Sequence, residues 1–197
     1  MGANLTAAKP SATYKSLLQV GSTVNQELDS TYRVIEDGLG EDSGAYISTR
    51  GFSFKQQFLV ETADKALTIT ESGSICVWND AAATFTLPSS RTATNLGCTY
   101  TFFVLNTDAG IKKIVCADTT NEKIYGYFVQ YDTDSSNALA LYRALGATST
   151  SVITFDGVGT GDYGSQCTLT AVAKDTWVLT NAISFATGTA STPFSAS

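Results

Sequence analysis

The chain has 197 residues, of which 43% are hydrophobic and only 15% charged, and its formal net charge at pH 7 is −6. This length suits one ordinary β-domain with an appendage, or two small domains. An acidic chain with scattered basic residues argues against a nucleic-acid partner, because phosphate binding depends on clustered Lys and Arg side chains. A charged fraction below the roughly 25% of an average domain implies a surface that is covered by Ser, Thr, Asn and Gly or is buried against other subunits, and the second case favours assembly.

The N-terminal part, residues 1–62, is predicted to be an extended arm with short strands. Residues 1–13 are small and polar, and on their own they are expected to be disordered. They lack the basic start and apolar stretch of a secretory signal, and no run of about 18 apolar residues occurs in the chain. We therefore expect assembly in a cytoplasm and no membrane partner. Further along the arm, Ala45–Thr49 and Phe52–Val60 predict strands, and Glu36–Gly44 predicts an acidic loop.

The remainder, residues 63–197, is predicted to be a β-domain. Short runs rich in β-branched and aromatic residues start about every 10 residues, and each ends in turn-forming residues. No window repeats apolar residues at helical spacing for more than a turn or two. The fold class is therefore all-β, an antiparallel β-sandwich or jelly-roll-like barrel preceded by the arm. The first predicted strands are Ala66–Thr70, Ser74–Trp78, Thr84–Leu87, Cys98–Leu105 and Ile111–Cys116.

The next strand, Lys123–Tyr131, contains a glycine, Gly126, which predicts a bulge or a close backbone approach. Alternation places Tyr125, Tyr127 and Tyr131 on one face, opposite Ile124, Phe128 and Gln130. An aromatic stripe of this kind is more often packing than a ligand platform.

The last part of the domain contains one ambiguous segment and several strands. Ala138–Leu145 is compatible with a helix or a strand. Residues 182–197 read as a Thr/Ser/Ala tail that includes at most one strand. The predicted strands are Ser151–Phe155, Gln166–Ala173, Thr176–Thr180 and Ile183–Ala186. The predicted buried residues are Leu67, Ile69, Ile75, Val77, Phe85, Leu87, Tyr100, Phe102, Val104, Ile114, Val172, Trp177 and Leu179.

Several stretches together resemble a known group of proteins. They are the turn at Val77–Asp80, the strands Thr84–Pro88 and Gly97–Val104, and the segment Lys123–Gly126. The pattern resembles the β-domain of bacteriophage virion-surface structural proteins, namely capsid decoration (cement) proteins and related tail-fibre β-domains. Ser16–Phe54 similarly resembles the opening of phage fibre-type proteins.

This resemblance implies a non-enzymatic virion protein that binds the outer capsid surface and stabilises the shell. Its partners would be the major capsid protein and further copies of itself, as a homotrimer, on a virion assembled in the host cytoplasm. The alternative is a tail-fibre, adaptor or receptor-binding component, which would contact host surface glycans through loops Asp132–Asn137 and Asp156–Ser165 with exposed Tyr and Trp. A third reading, a glycan hydrolase, requires a pair of carboxylates that no spacing singles out.

The sequence assigns no catalytic, cofactor-binding or metal-ligating residue, and we expect no cofactor. Histidine is absent, which removes the Ser-His-Asp and Cys-His constellations. Residues 159–164 match GxGxxG, but a strand follows where a dinucleotide site needs a helix, so a hairpin loop is expected. Asp132–Asp134 begins like a calcium loop that lacks its Gly and its bidentate Glu. The four cysteines lack CxxC spacing and are expected to be buried thiols, with a disulfide or metal site as alternatives.

Overall fold

The computed structural model describes residues 19–20, 28–36, 42–78, 82–105, 110–134, 138–145 and 150–196. These residues contain 16 β-strands and two short 3-10 helices, Ile69–Glu71 and Ala93–Asn95, and they contain no α-helix. The prediction of an all-β fold is confirmed. Contacts divide the chain into two compact units, Met1–Gln56 and Gln57–Ser197.

The first unit contains a four-stranded antiparallel sheet in the order β1-β2-β3-β4. The Asp29 carboxylate accepts from the Arg33 guanidinium at 2.6 Å, and the Asp29 carbonyl accepts from the amide of Thr49 at 2.8 Å. Residues 1–13 and most of the acidic loop expected at Glu36–Gly44 lie outside the described residues. The strands are β1 (Gln19–Val20), β2 (Arg33–Glu36), β3 (Asp42–Ser48) and β4 (Gly51–Phe54).

The second unit is built from two sheets. The first six strands are β5 (Phe58–Glu61), β6 (Lys65–Ala66), β7 (Ile75–Trp78), β8 (Thr84–Thr86), β9 (Thr99–Val104) and β10 (Lys112–Val115). The last six are β11 (Lys123–Asp132), β12 (Leu139–Leu145), β13 (Val152–Phe155), β14 (Gln166–Ala173), β15 (Thr176–Ala186) and β16 (Phe194–Ser195). The larger sheet has the order β12-β11-β15-β14-β9-β7-β5, and the smaller has the order β16-β13-β10-β8-β6.

From β5 to β10 the chain alternates between the two sheets. Consecutive strands of one sheet are therefore parallel, as in β5 with β7 and β6 with β8. Antiparallel pairs dominate later, although β11 and β15 are also parallel. The sheets are thus mixed, and their pairing among the described residues leaves both open. Strand spacing did not reveal this, since a short connection can form a hairpin or cross to the facing sheet.

Aromatic side chains join the two sheets. The indole of Trp78, on β7, is fully buried, and its ring centroid lies 5.1 Å from that of Phe85 and 5.7 Å from that of Phe155, both on the smaller sheet. Its Nε1 donates to the carbonyl of Ala83 at 3.0 Å, so the polar edge of the ring is satisfied. Phe128 of β11 meets Phe155 at 5.7 Å in the same layer. The arrangement is the sandwich core that the sequence predicted.

Most of the predicted core residues are buried, with three exceptions. Ile69 is 43% exposed because the chain leaves strand geometry there and forms a 3-10 helix. Val172 is 51% exposed because the buried residues of β14 are Cys167, Leu169 and Ala171, and alternation places Val172 on the opposite face. Ile75 is only partly buried, because β7 directs Cys76 and Trp78 rather than its neighbours into the core. On β7 the prediction that Val77 is buried is confirmed, and the prediction for Ile75 is wrong.

One strand, β15, replaces the two predicted at Thr176–Thr180 and Ile183–Ala186. Tyr125 pairs with Val178 and Val129 pairs with Ile183, so β15 advances five residues while β11 advances four. The extra residue forms a bulge, which Gly126 on β11 accommodates with φ of 142°. The bulge predicted from this glycine is confirmed.

The predicted C-terminal tail is instead part of the structure. Its strand β16 pairs antiparallel with β13 at the edge of the smaller sheet. Phe194 is buried, and its ring centroid lies 5.6 Å from that of Phe128. A single aromatic residue therefore anchors a segment that is otherwise polar and small.

Replacing Gly126 with Ala should lower the free energy of unfolding by about 2 to 4 kcal/mol, through backbone strain at positive φ and overpacking. A Cβ at this position would lie 2.7 Å from both Cβ and the carbonyl oxygen of Leu179, which leaves no room. Gly73→Ala is the matched control, because φ there is 87° but nothing lies within 4 Å. That variant should lose only about 1 kcal/mol. Equal losses in denaturant unfolding would contradict the close approach.

Candidate functional site

An aromatic face lies at one edge of the larger sheet, on the outer side of β11 and β12. Tyr125, Tyr127 and Tyr131 are 40%, 56% and 46% exposed, and their neighbours Ile124, Phe128 and Gln130 are fully buried. The predicted division of this strand is therefore confirmed. On the adjacent strand, Leu139 and Leu141 are 64% and 67% exposed. We call the exposed side chains Tyr125, Tyr127, Tyr131, Leu139 and Leu141 the aromatic face. Apart from the exposed Arg143, which pairs with Tyr127, this surface is largely apolar, as is typical of an interaction site.

A pocket of about 420 Å³ opens at the bulge beside this face. Tyr127 and Val129 of β11 form one wall, and Leu179–Ile183 of β15 form the other. In a regular strand, consecutive side chains point to opposite faces. Here the inserted residue leaves both Thr180 and Asn181 exposed, and Asn181 has a left-handed φ of 49°. We call this feature the bulge pocket.

A buried polar layer lies beneath the bulge pocket. Gln130 Nε2 donates to the carbonyl of Gly159, and the hydroxyls of Thr160 and Ser184 are 2.8 Å apart. The amide of Gly161 also donates to Ser184 Oγ at 2.9 Å. These bonds attach the loop 156–165 to β11 and β15. Because they are shielded from water, these hydrogen bonds are stronger than they would be at the surface.

The glycine-rich loop therefore has a packing role in this structure. As predicted, a strand follows it, but the expected hairpin is wrong, because β13 and β14 belong to different sheets. A Cβ at Gly161 would lie 2.1 Å from Phe155 Cβ, so close approach to an aromatic core residue explains this glycine. The Asp156 carboxylate accepts from the amides of Val158 and Thr160 at 3.0 and 2.9 Å, which closes the turn.

The loop Asp132–Asn137 is described only as far as Asp134. The amide of Asp134 donates to Asp132 Oδ1 at 3.1 Å, as in an Asx turn. Across the parts of the chain that the structure describes, no group of three His, Cys, Asp or Glu side chains could hold a metal ion. Within the same ranges, no helix is long and apolar enough to cross a membrane.

The two tryptophans are not available for stacking against a sugar. Trp78 and Trp177 are fully buried, so the expectation of exposed Trp in a glycan-binding surface is wrong. Two exposed tyrosines are still available as stacking platforms. Tyr127 lies beside the bulge pocket, and Tyr163, which is 57% exposed, lies in the loop 156–165. The prediction that Trp177 is buried is confirmed, and side-chain type alone does not distinguish a core tryptophan from a stacking platform.

The four cysteines are buried and free in this structure. Burial raises the pKa of the Cys76 and Cys116 thiols to about 12, and it also raises the pKa of Cys167. A protonated, buried thiol is a poor nucleophile and a poor metal ligand. These side chains act as small hydrophobic residues, as the sequence predicted.

A network of carboxylates joins three loops at the Asp118 end of the second unit. Arg91 contacts Asp118 at 2.8 Å and Asp175 at 3.2 Å. The fully buried Glu122 accepts from the hydroxyl of Ser89 at 2.8 Å and from the amide of Asp118 at 2.9 Å. Because the carboxylates of Asp118 and Glu122 accept from donors in neighbouring segments, the network connects these loops.

Comparison with protein-family models finds no match, and a search of curated protein sequences finds none either. The bulge pocket was not found from the sequence. Two signals pointed to it: Gly126, and the gap between the predicted strands Thr176–Thr180 and Ile183–Ala186, which is where the extra residue lies. Neither signal indicates on which face of the sheet the bulge pocket lies.

Replacing Asp118 with Asn should reduce the thermal unfolding temperature at neutral pH. Hydrogen bonds from Asn121 and then Arg91 lower the pKa of Asp118 from 3.8 to about 2. Since the folded-state pKa lies below the unfolded value, this carboxylate stabilises the fold above about pH 4 and loses that effect as the pH falls towards 2. The unfolding temperatures of the two proteins should therefore converge between these pH values. A constant difference over the whole range would exclude this role.

Proposed function

We propose that this chain is a non-enzymatic structural protein of a phage virion surface, and that it is a capsid decoration protein that binds the outer shell and stabilises it. The observation that supports the proposal is the edge strand β5. Phe58 and Val60 are 63% and 53% exposed, and in the described part of the chain no strand pairs with the outer side of β5.

An edge strand with exposed apolar side chains is a template for pairing with another chain. Soluble proteins usually protect such edges with Lys, Pro or a bulge, whereas β5 reads Phe58-Leu59-Val60-Glu61 and contains a single charge. Leu59 faces inward and is buried, so β5 is already packed on the core. A strand added to its free edge would extend the larger sheet. Its side chains would then cover Phe58 and Val60. We propose an extended segment of the major capsid protein as the occupant.

The first unit has an edge of the same kind. All four residues of β4 are exposed, and Phe52 and Phe54 lie edge-to-face with their ring centroids 4.7 Å apart. This strand belongs to the arm that the proposal places along the shell. The homotrimer, the host-cytoplasm assembly and the absence of nucleic-acid and membrane partners remain parts of the proposal, and the trimer derives from the resemblance alone.

A second candidate function is a tail-fibre, adaptor or receptor-binding component. The aromatic face and its bulge pocket favour it, because they offer a ligand surface at the edge of the sheet opposite β5. The two candidates differ in location on the virion and in which edge of the sheet makes the attachment.

The double variant Phe58→Lys, Val60→Lys should bind bare capsids at least about 100-fold more weakly, because two large apolar side chains lose their burial. Both positions are exposed in the isolated protein, so the fold should be kept. Binding is measured by co-sedimentation with capsids that lack decoration.

The matched control is Leu139→Lys, Leu141→Lys on the opposite edge strand, β12, where the exposures are similar. This control should bind capsids like the wild type. If the β12 double variant loses capsid binding and the β5 double variant does not, the proposal that β5 is the attachment edge is wrong.

Copy number separates the two candidate functions. A decoration protein should be present in numbers comparable with those of the major capsid protein, and antibody labelling should cover the head. Quantitative mass spectrometry of purified virions measures the ratio. A small number of copies confined to the tail would overturn the decoration proposal in favour of the second candidate.

A further inference from the structure

We infer that the bulge pocket is a binding site for a neutral saccharide, with Tyr127 as the stacking platform and Thr180 and Asn181 as hydrogen-bonding groups. This inference goes beyond attachment to a shell. In the larger sheet β15 and β5 are separated by four strand spacings, or about 19 Å. The bulge pocket therefore stays open when a partner strand is added to β5.

The size and composition of the bulge pocket suit a small polar ligand with an apolar side. Its volume of about 420 Å³ lies within the range of small-molecule sites. Val129 and Ile183 supply apolar contacts, and Thr180 and Asn181 supply hydroxyl and amide groups that both donate and accept. A pyranose ring likewise combines apolar and polar parts, since its faces are made of C–H groups and its hydroxyls lie around the rim.

Tyr127 provides the surface for such a face. Its side chain is 56% exposed and lies on the wall of the bulge pocket. The negative face of an aromatic ring attracts weakly positive C–H groups, and the phenol adds a hydrogen-bonding group at the rim. Among the described residues no charged side chain lines the bulge pocket, so its lining suits a neutral sugar; the exposed Arg143, opposite Tyr127 on β12, lies outside that lining.

The site is held in place before any ligand arrives. Asn181 has φ of 49°, a conformation that few residues other than Gly adopt, and it occurs in a central strand. The close approach of Gly126 to Leu179 fixes the spacing of the two strands at the bulge. The hydrogen bonds of Gln130, Ser184 and Thr160 connect the same strands to the loop 156–165. Because the backbone that carries the binding side chains is fixed in this way, little ordering of the main chain is needed on binding.

The test uses the isolated full-length chain and a panel of neutral oligosaccharides built from glucose, galactose, mannose and N-acetylglucosamine. Saturation-transfer NMR identifies a binder, and calorimetry gives its Kd. At least one member should bind, and Tyr127→Ala should weaken that binding about tenfold or more. Tyr163→Ala is the matched control, since Tyr163 is 57% exposed but lies outside the bulge pocket, and its Kd should equal that of the wild type.

Asn181→Gly separates a binding role from a structural one. Glycine relieves the left-handed strain, so the thermal unfolding temperature should stay the same or rise while saccharide binding weakens. The inference is overturned if no panel member binds at millimolar concentration, if Tyr127→Ala binds like the wild type, or if Tyr163→Ala alone loses binding. These outcomes are independent of the β5 variants, which report capsid attachment.

Discussion

The packing of Trp78 between the two sheets is the contact on which the second unit depends. The strands of this unit contribute side chains to one shared layer, and the indole of Trp78 meets the rings of Phe85, Phe102 and Phe155 within it. Each sheet on its own would leave this layer exposed to water. Burial of such large aromatic surfaces is the main favourable term in a sandwich of this size. Both edges of the larger sheet, with their exposed side chains, are positioned by this core.

The sequence predicted many strands well because turn-forming residues mark their ends, but the strand predicted at Ala66–Thr70 is wrong, since β6 ends at Ala66 and a 3-10 helix begins at Ile69. Thr99–Val104 and Lys123–Asp132 begin and end within a residue or so of the predicted runs, and their buried faces alternate as expected. Pairing was less predictable, because a strand such as Thr84–Thr86 carries no local sign of which sheet it joins. The polar segment that ends in Phe194 shows the same limit, since only the core around Phe128 makes it a strand.

The rule that side chains alternate between the two faces of a strand fails where the register between β11 and β15 shifts. On β15, Leu179 and Ala182 are buried while the two residues between them are exposed, which no regular alternation gives. The sequence around Gly126 indicated a bulge but not its outward opening. Proteins often break a local rule at a functional position and compensate for it through the surrounding structure. Here the compensation is visible in the hydrogen bond that Gln130 donates to Gly159 and in the one that Ser184 accepts from Gly161.

The alternation of strands between the sheets also bears on the order in which the strands pair during folding. In the first half of the second unit, Phe58 pairs with Ile75, which is close in sequence, and each new strand lies beside one already formed. The later pairing of Tyr125 with Val178 closes a much longer loop, and β15 must enter between β11 and β14. Closing longer loops costs more entropy, and contacts of this kind form late. We therefore expect the bulge pocket, which needs β15 beside β11, to form late, whereas the aromatic face lies on the local pair β11–β12.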